Sequence, residues 1–448
     1  MVKEAKGPWQ CGYGGIMIQY LKLSNVGPAA EMELDFGSRL NLLTGDNGLG
    51  KSFLLDIIWW ALTRTWPAEM NAQLTAGKIA LPTDKRQPAF IEFGFQDASK
   101  QLKVRSDFQP RRQNWRVRQG IPQNPGLVFY AMADGGFAVW DPARNYGNAE
   151  NEDGIDRPAA YVFSPKEVWD GLNRKGNRYL SNGLIRDWAN WQNKKGREFE
   201  LLKAVLHELS PSEGEELVPG ELTRISLDDV RDMPTLIMRY SRRSKQDIPV
   251  PVVHASSGMR RIIALGYFLV WCWEEHKKAK ELLGEDPESK AVMLVDEAES
   301  HLHPHWQRSI LPALLKVMKQ LSLEMEVQLF VSTHSPLLMV SVEPEFNPKT
   351  DAWFDIDCES DKVLLRKMEF EKHGAVEGWL TSEAFDLSSC RPREYEALVK
   401  RASALLKADK SDDDTIHAVH QELIAALRPT DPFLFRWRAL CAKKGWQI

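Results

Sequence analysis

Apolar residues recur along this chain with two periods, and the switches between them mark its elements. Met17–Leu23 and Glu31–Phe36 alternate apolar and polar side chains, as strands with one face in a core do. Asn25–Gly27 between them reads as a turn. Leu40–Thr44, Ala291–Val295 and Val327–Thr333 are apolar without alternation, which fits parallel strands covered on both faces. Ala89–Phe95 and Gln101–Asp107 predict two further antiparallel strands. Leu127–Val139 predicts a hairpin, and Ala160–Phe163 and Thr235–Tyr240 predict strands. Leu54, Leu55, Ile57 and Ile58 place a buried helix over Phe53–Leu62, and Ile262–Trp273 reads the same way. Leu184–Trp191, Phe199–Leu206, Glu394–Leu406 and Thr415–Leu427 carry the spacing of amphipathic helices, and Ser210–Leu222 reads as a connection. Ala352–Ile356 and Lys362–Met368 predict a closing hairpin.

Together these elements predict an α/β fold: a central, mostly parallel sheet, a flanking antiparallel β-subdomain, a helical insertion and a helical C-terminal tail. The expected divisions are a flexible extension over 1–16, a first lobe with the β-subdomain over 17–163, a largely helical insertion over 164–250, a second lobe over 251–370 and the tail over 371–448.

Composition changes this picture little. A formal net charge of −4 gives no global pull towards nucleic acid, so any such binding must come from local patches. Cys11, Cys272, Cys358, Cys390 and Cys441 are widely separated and suggest reduced thiols and a cytoplasmic protein. No secretory signal is visible, and the apolar run Ile262–Trp273 is too short to span a bilayer.

The chemistry begins where the strand Leu40–Thr44 meets the helix after it. Gly45 to Ser52 fits G-x-x-x-x-G-K-[ST], a loop whose main-chain N–H groups close around a polyphosphate. Asn47, Gly48, Leu49, Gly50, Lys51, Ser52 and Phe53 are the candidate contacts. Lys51 reaches the outer phosphates, Ser52 coordinates Mg²⁺, and the helix points its positive end at both. Asp296 and Glu297 end a strand where α/β sheets bind ligands; Asp296 suits Mg²⁺ and Glu297 an attacking water. His334 follows another strand and can hydrogen-bond the terminal phosphate from the side opposite Lys51. Ser256, Ser257 and Gly258, with Arg260 and Arg261, precede a helix and suggest a second anion site, with Ser257 as N-cap.

Other residues carry weaker signals. Arg105, Arg111, Arg112, Arg116 and Arg118 interleave with Phe108 and Trp115, which suits a nucleic-acid backbone with base stacking, or else a solvated hairpin edge. Arg239, Arg242, Arg243 and Lys245 form a second basic cluster. His301, His303 and His305 are of the zinc-ligating type, but no cysteine lies close. Phe433, Phe435 and Trp437 in Pro429–Leu440 suit core packing or a docking surface.

The loop Gly45–Ser52 resembles the G-x-N-G-x-G-K-S form of ABC-type ATPases. Ser256-Ser257-Gly258 resembles their signature motif, Asp296-Glu297 Walker B, Ala298–Leu302 the D-loop and His334 the switch histidine, all in the expected order. The resemblance implies an ABC-type ATPase head that uses ATP and Mg²⁺. It further implies a homodimer or higher even oligomer in which Ser257 and Gly258 complete the partner's ATP site. One departure is the Q-loop: no glutamine follows Ala160–Phe163, where Ser164 to Glu167 stand, and Gln96 follows an earlier strand. More narrowly, Asp296–Pro304 and Ser332–Pro336 resemble overcoming-lysogenisation-defect type ATPases. Val162–Ser164, Val168–Leu172 and Glu377–Phe385 are similar to ATPase subunits of Septu-type and retron-associated antiphage systems. That resemblance implies a separate effector, such as an HNH nuclease, under control of the ATPase. A DNA-repair ATPase that clamps duplex DNA, and a scaffold that binds ATP with little turnover, stand as alternatives.

Overall fold

The computed structural model describes residues 17–96, 101–116, 124–145, 158–174, 178–212, 215–240, 248–360, 362–385, 387–407 and 413–446. The expected extension over 1–16, most of the polar stretch 145–156, and Arg118, Arg242, Arg243 and Lys245 lie outside these residues. The chain forms two compact units, Met1–Gly374 and Ala375–Ile448.

The first unit is built on an eight-stranded sheet. Its order is Lys362–Met368, Asp351–Glu359, Leu40–Gly45, Glu326–Ser332, Lys290–Val295, Leu127–Ala131, Phe137–Trp140 and Tyr161–Phe163. The strands from Asp351–Glu359 through Leu127–Ala131 run parallel, and the edge strands pair antiparallel. Leu42, Leu43, Val292, Leu294, Phe330 and Val331 are fully buried, as strands covered on both faces require. The strand Glu326–Ser332 lies between Leu40–Gly45 and Lys290–Val295, with Val331 opposite both Leu42 and Val295. The carboxyl ends of these strands therefore open onto one crevice.

A five-stranded antiparallel sheet, in the order Glu31–Asp35, Met17–Ser24, Phe90–Gln96, Gln101–Gln109 and Asn114–Trp115, forms the expected β-subdomain. Its apolar face joins the core that also holds the helix Lys51–Thr63.

Two expectations are corrected. The stretch 164–250 is not largely helical throughout. After helices Pro165–Asp170, Leu184–Lys194 and Arg197–Glu208 comes a three-stranded sheet of Glu215–Pro219, Thr235–Tyr240 and Pro249–Pro251. The supposed connection Ser210–Leu222 therefore contains a strand, hidden by its acidic and proline residues; only Leu217 of Glu215–Pro219 is buried. No helix among the described residues is long and apolar enough to cross a membrane.

The second unit carries helices Arg393–Lys407, Asp413–Ala426 and Pro432–Lys444 around Ile416, Leu423, Leu434 and Trp437. Trp437 is wholly buried and its indole N–H donates to His420 Nδ1 at 3.2 Å, whereas Phe435 is exposed. The aromatic stretch is thus split between core and surface.

Candidate active site

The loop after Leu40–Gly45 turns through glycines at positive φ, Gly45, Gly48 and Gly50. Gly45 has φ +125°, and a Cβ there would lie 2.0 Å from the Ile356 carbonyl oxygen, so no side chain fits. Asn47 and Gly48 are exposed at the tip, with open space where a Gly48 Cβ would be, while Leu49 and Phe53 pack against the core. Lys51 is only 5% exposed, and its ammonium donates to the carbonyls of Gly45 and Asp46, both at 2.8 Å. Burial pushes its pKa below the usual lysine value, opposed by the charges of Glu299, Asp296 and Glu297.

Those carboxylates follow the strand Lys290–Val295, which is one strand removed from that of the loop. Ser52 Oγ donates to Asp296 Oδ1 at 3.1 Å, and Ser332 Oγ donates to the same oxygen at 2.5 Å. Ser332 Oγ also accepts from the Glu297 N–H at 2.8 Å. Asp296 is fully buried, which raises its pKa against the pull of the Ser332 and Ser52 hydrogen bonds. Its Oδ2 is buried with no hydrogen-bond partner. A carboxylate oxygen in that condition suits a cation, since leaving it bare costs free energy. Glu297 sits at φ +46°, in the left-handed region that non-glycine residues seldom adopt, and is half-buried.

His334 follows Ser332 and is half-buried. Its main-chain N–H donates to Glu299 Oε1, and Thr333 Oγ1 donates to Glu299 Oε2 at 2.9 Å. Glu299 thus ties the segment after Glu297 to the segment bearing His334. Sequence reasoning placed Glu299 only within a motif; its part in the site depends on strand order. Ser332 was missed for the same reason. Asp56, on the helix Lys51–Thr63, also escaped notice. It accepts from Tyr130 Oη at 2.8 Å, and burial pushes its pKa up to about 7.

The helix after Ser256-Ser257-Gly258 runs from Ser257 to Leu283, with Ser256 as N-cap, its side chain accepting from the Met259 N–H at 3.3 Å. Ser257 is therefore not the cap but the first helical residue, exposed and without a side-chain hydrogen bond among the described residues. Gly258 is buried, and a Cβ there would meet the His301 carbonyl oxygen at 2.5 Å. Arg261 is not free for an anion. Its guanidinium donates to the carbonyls of Asp296 at 2.6 Å, Glu297 at 3.1 Å and Ala133 at 3.2 Å. Burial lowers its pKa while Asp296 and Glu297 oppose that. No hydrogen bond among the described residues joins Ser256 or Ser257 to the loop at 45–52.

Three weaker expectations are also placed. On the side away from Glu326–Ser332, the strand beside that of Asp296 is Leu127–Ala131, so the segment emerging there next to the acids is 132–136, not Ser164–Glu167. Ser164 instead caps the helix Pro165–Asp170. Arg111, Arg112 and Arg116 are exposed, but Trp115 is 3% exposed and donates to the Ala80 carbonyl at 2.9 Å, so it cannot stack on a base. His303 Nδ1 accepts from the His305 N–H, and His305 pairs with Glu215. Among the described residues no group of three or more His, Cys, Asp or Glu side chains is placed to hold a metal.

A glycine loop with a buried lysine, joined through a serine to a strand-end acid, is the pattern of a phosphate-binding loop. The chain belongs to the family described as "AAA domain, putative AbiEii toxin, Type IV TA system", which it matches over residues 40–341. It is similar to the "Retron Ec83 probable ATPase" of Escherichia coli, 23% identical over 214 residues, covering 45% of this chain and 34% of that protein. The chain thus spans about a third of that relative. It is 22% identical over 433 residues to "Septu protein PtuA" of Bacillus thuringiensis, covering 93% of this chain and 96% of that one. The family and the ATPase-named relatives support ATPase activity. Among solved structures, an SmcHead bound to the C-winged helix domain of ScpA aligns with a TM-score of 0.41 at 15% identity, covering 80% of this chain and 98% of that one. The recombination mediator protein RecF with ATP aligns at 0.36 and 14%, covering 80% and 100%.

Proposed function

We propose that this chain is the ATP-hydrolysing sensor and regulatory subunit of an antiphage complex, controlling a separate effector such as a nuclease. The observation that carries the chemistry is the bare, buried Oδ2 of Asp296 beside Ser52 at the mouth of the phosphate loop. The defence setting is supported by the near end-to-end similarity to a Septu protein.

In this reading Asn47 to Phe53 cradle the ATP phosphates with main-chain N–H groups, and Lys51 exchanges the Gly45 and Asp46 carbonyls for phosphate oxygens. Ser52 and Asp296 would hold Mg²⁺, which supplies neutralisation of the charge that develops on the transferring phosphoryl group. Glu297 orients and polarises the attacking water, and its left-handed backbone, fixed by Ser332, sets where the carboxylate points. His334 contacts the terminal phosphate, in a position set by Glu299. Ser256, Ser257 and Gly258 act on the nucleotide of a second copy, so that ATP joins two ABC-type heads in a homodimer or higher even oligomer.

The test is Glu297→Gln. The variant retains ATP and accumulates as a dimer in light scattering, with turnover reduced roughly a hundredfold. A variant that stays monomeric with ATP bound overturns the shared site, and one that turns over ATP normally overturns the role of Glu297. A DNA-clamping reading is favoured by the exposed Arg111, Arg112 and Arg116. It requires that Arg111→Glu with Arg112→Glu lower DNA affinity and its salt dependence.

A further inference from the structure

At the ends of the strands Leu127–Ala131 and Lys290–Val295, within the first unit, lies a cavity of about 420 Å³. It opens between the turn after Leu127–Ala131, the helix Pro165–Asp170 and the start of the helix Ser257–Leu283. Met132, Phe137, Trp169, Leu265 and Leu314 make its walls apolar. Its volume and apolar walls are those of small-molecule sites, which add a few convergent polar groups.

The polar groups here have one dominant sign. Lys166, Arg260 and Arg261 line the cavity against a single acid, Asp134. Asp134 is already engaged: Oδ1 accepts from the Gly136 N–H at 2.9 Å, and Oδ2 from the Thr75 N–H and hydroxyl at 3.1 and 2.9 Å. Arg261 is engaged by main-chain carbonyls. Lys166 and Arg260 are exposed and form no ion pair among the described residues. An apolar chamber with two uncommitted cations calls for a ligand with an apolar body and one anionic group.

Arg261 connects this chamber to the acids. It lines the cavity while holding the carbonyls of Asp296 and Glu297, and Val295 and Ala298 on either side of those acids line it too. A ligand seated against Arg261 favours one arrangement of these carbonyls over others, and that preference is what shifts an equilibrium. We propose that the cavity binds a small amphiphilic anion, its carboxylate, sulfonate or phosphate at Lys166 and Arg260, and that occupancy is transmitted to the ATPase centre through Arg261. The transmission rests on the ATPase reading above; the binding does not.

The probes are anilinonaphthalenesulfonate and its neutral counterpart phenylnaphthylamine, titrated by fluorescence into the full chain. The sulfonate binds at one site, roughly tenfold or more tighter than the neutral dye. Lys166→Glu with Arg260→Glu weakens the sulfonate by about tenfold or more and leaves the neutral dye within about twofold. Leu314→Trp fills the chamber and removes both. Loosened packing increases the binding of such dyes, so partial unfolding of a variant cannot produce these losses. Equal affinity for the two dyes, or sulfonate binding untouched by the double variant, overturns the anion site. Saturating sulfonate changes ATP turnover about threefold or more in the unmodified chain and not in the double variant. Full occupancy with unchanged turnover overturns the transmission. Normal dye binding by a chain inactive towards ATP supports the site and overturns only the transmission.

Discussion

The phosphate loop and the start of the helix Ser257–Leu283 differ in how much of their chemistry one chain satisfies. At the loop, Lys51 is buried, both carbonyls beneath it are in place, and Ser52 already meets Asp296. At the helix start, Ser257 stands in solvent without a partner, and Arg260 beside it is equally uncommitted. Gly258 and Arg261, from the same motif, are consumed inside the chain by the His301, Asp296 and Glu297 carbonyls. The loop is complete in a single chain. The helix start divides into an inner half that braces the acids and an outer half whose Ser257 hydroxyl and Arg260 guanidinium have no hydrogen-bond or ion-pair partner among the described residues. The shared site proposed above would use that outer half.

Four experiments press on this contrast. Lys51→Ala removes the cation of the complete half, and ATP turnover falls roughly a hundredfold or more in a phosphate-release assay; retention of even a tenth of the rate breaks the contrast. Ser257→Arg alters only the outer half. ATP binding by isolated chains stays within about twofold while turnover falls about tenfold and loses its dependence on protein concentration. If binding falls with turnover, Ser257 belongs to its own chain's pocket.

Glu299→Ala sharpens the picture on the inner side. It leaves the His334 N–H and the Thr333 hydroxyl without their acceptor, a loss of about 1–3 kcal/mol, read as a lowered denaturant midpoint. Glu299→Gln keeps acceptor capacity and loses less. A midpoint unchanged in both variants removes Glu299 from the site.

The smallest effect concerns Asp56. Below about pH 4 its carboxyl is protonated in folded and unfolded chains alike. From there to about pH 7 only the folded chain keeps the proton, so stability falls as pH rises through this window. Asp56→Asn keeps an acceptor for Tyr130 and flattens that slope. Melting temperatures measured across the window would show an unchanged slope if Asp56 were not the group responsible.

Much of this was legible without coordinates, for stated reasons. The loop at 45–52 is local: spacing and residue type place its glycines, lysine and serine together before any distant contact forms. Asp296, Glu297 and His334 were legible as strand ends, because an apolar run stopped by a polar residue announces an edge of a parallel sheet. Whether Trp115 could stack on a base was left open, because neighbouring arginines suggest solvent; the five-stranded sheet folds it inward. The Q-loop glutamine was sought after Ala160–Phe163, because chain order does not reveal that Leu127–Ala131 is the strand next to that of the acids.

Residue identity and spacing therefore marked out the candidate groups: a lysine and a serine where a glycine loop enters a helix, two acids after a strand, a histidine after another. Only the tertiary structure decided who meets whom. The strand Glu326–Ser332 inserts between those of the loop and the acids, and this single placement brings Ser332 to Asp296 and Glu299 to His334. Hydrophobic pattern sorts strands into buried and edge positions, but neighbours of equal apolarity are interchangeable to it. Their order is settled by connections and packing over the whole sheet.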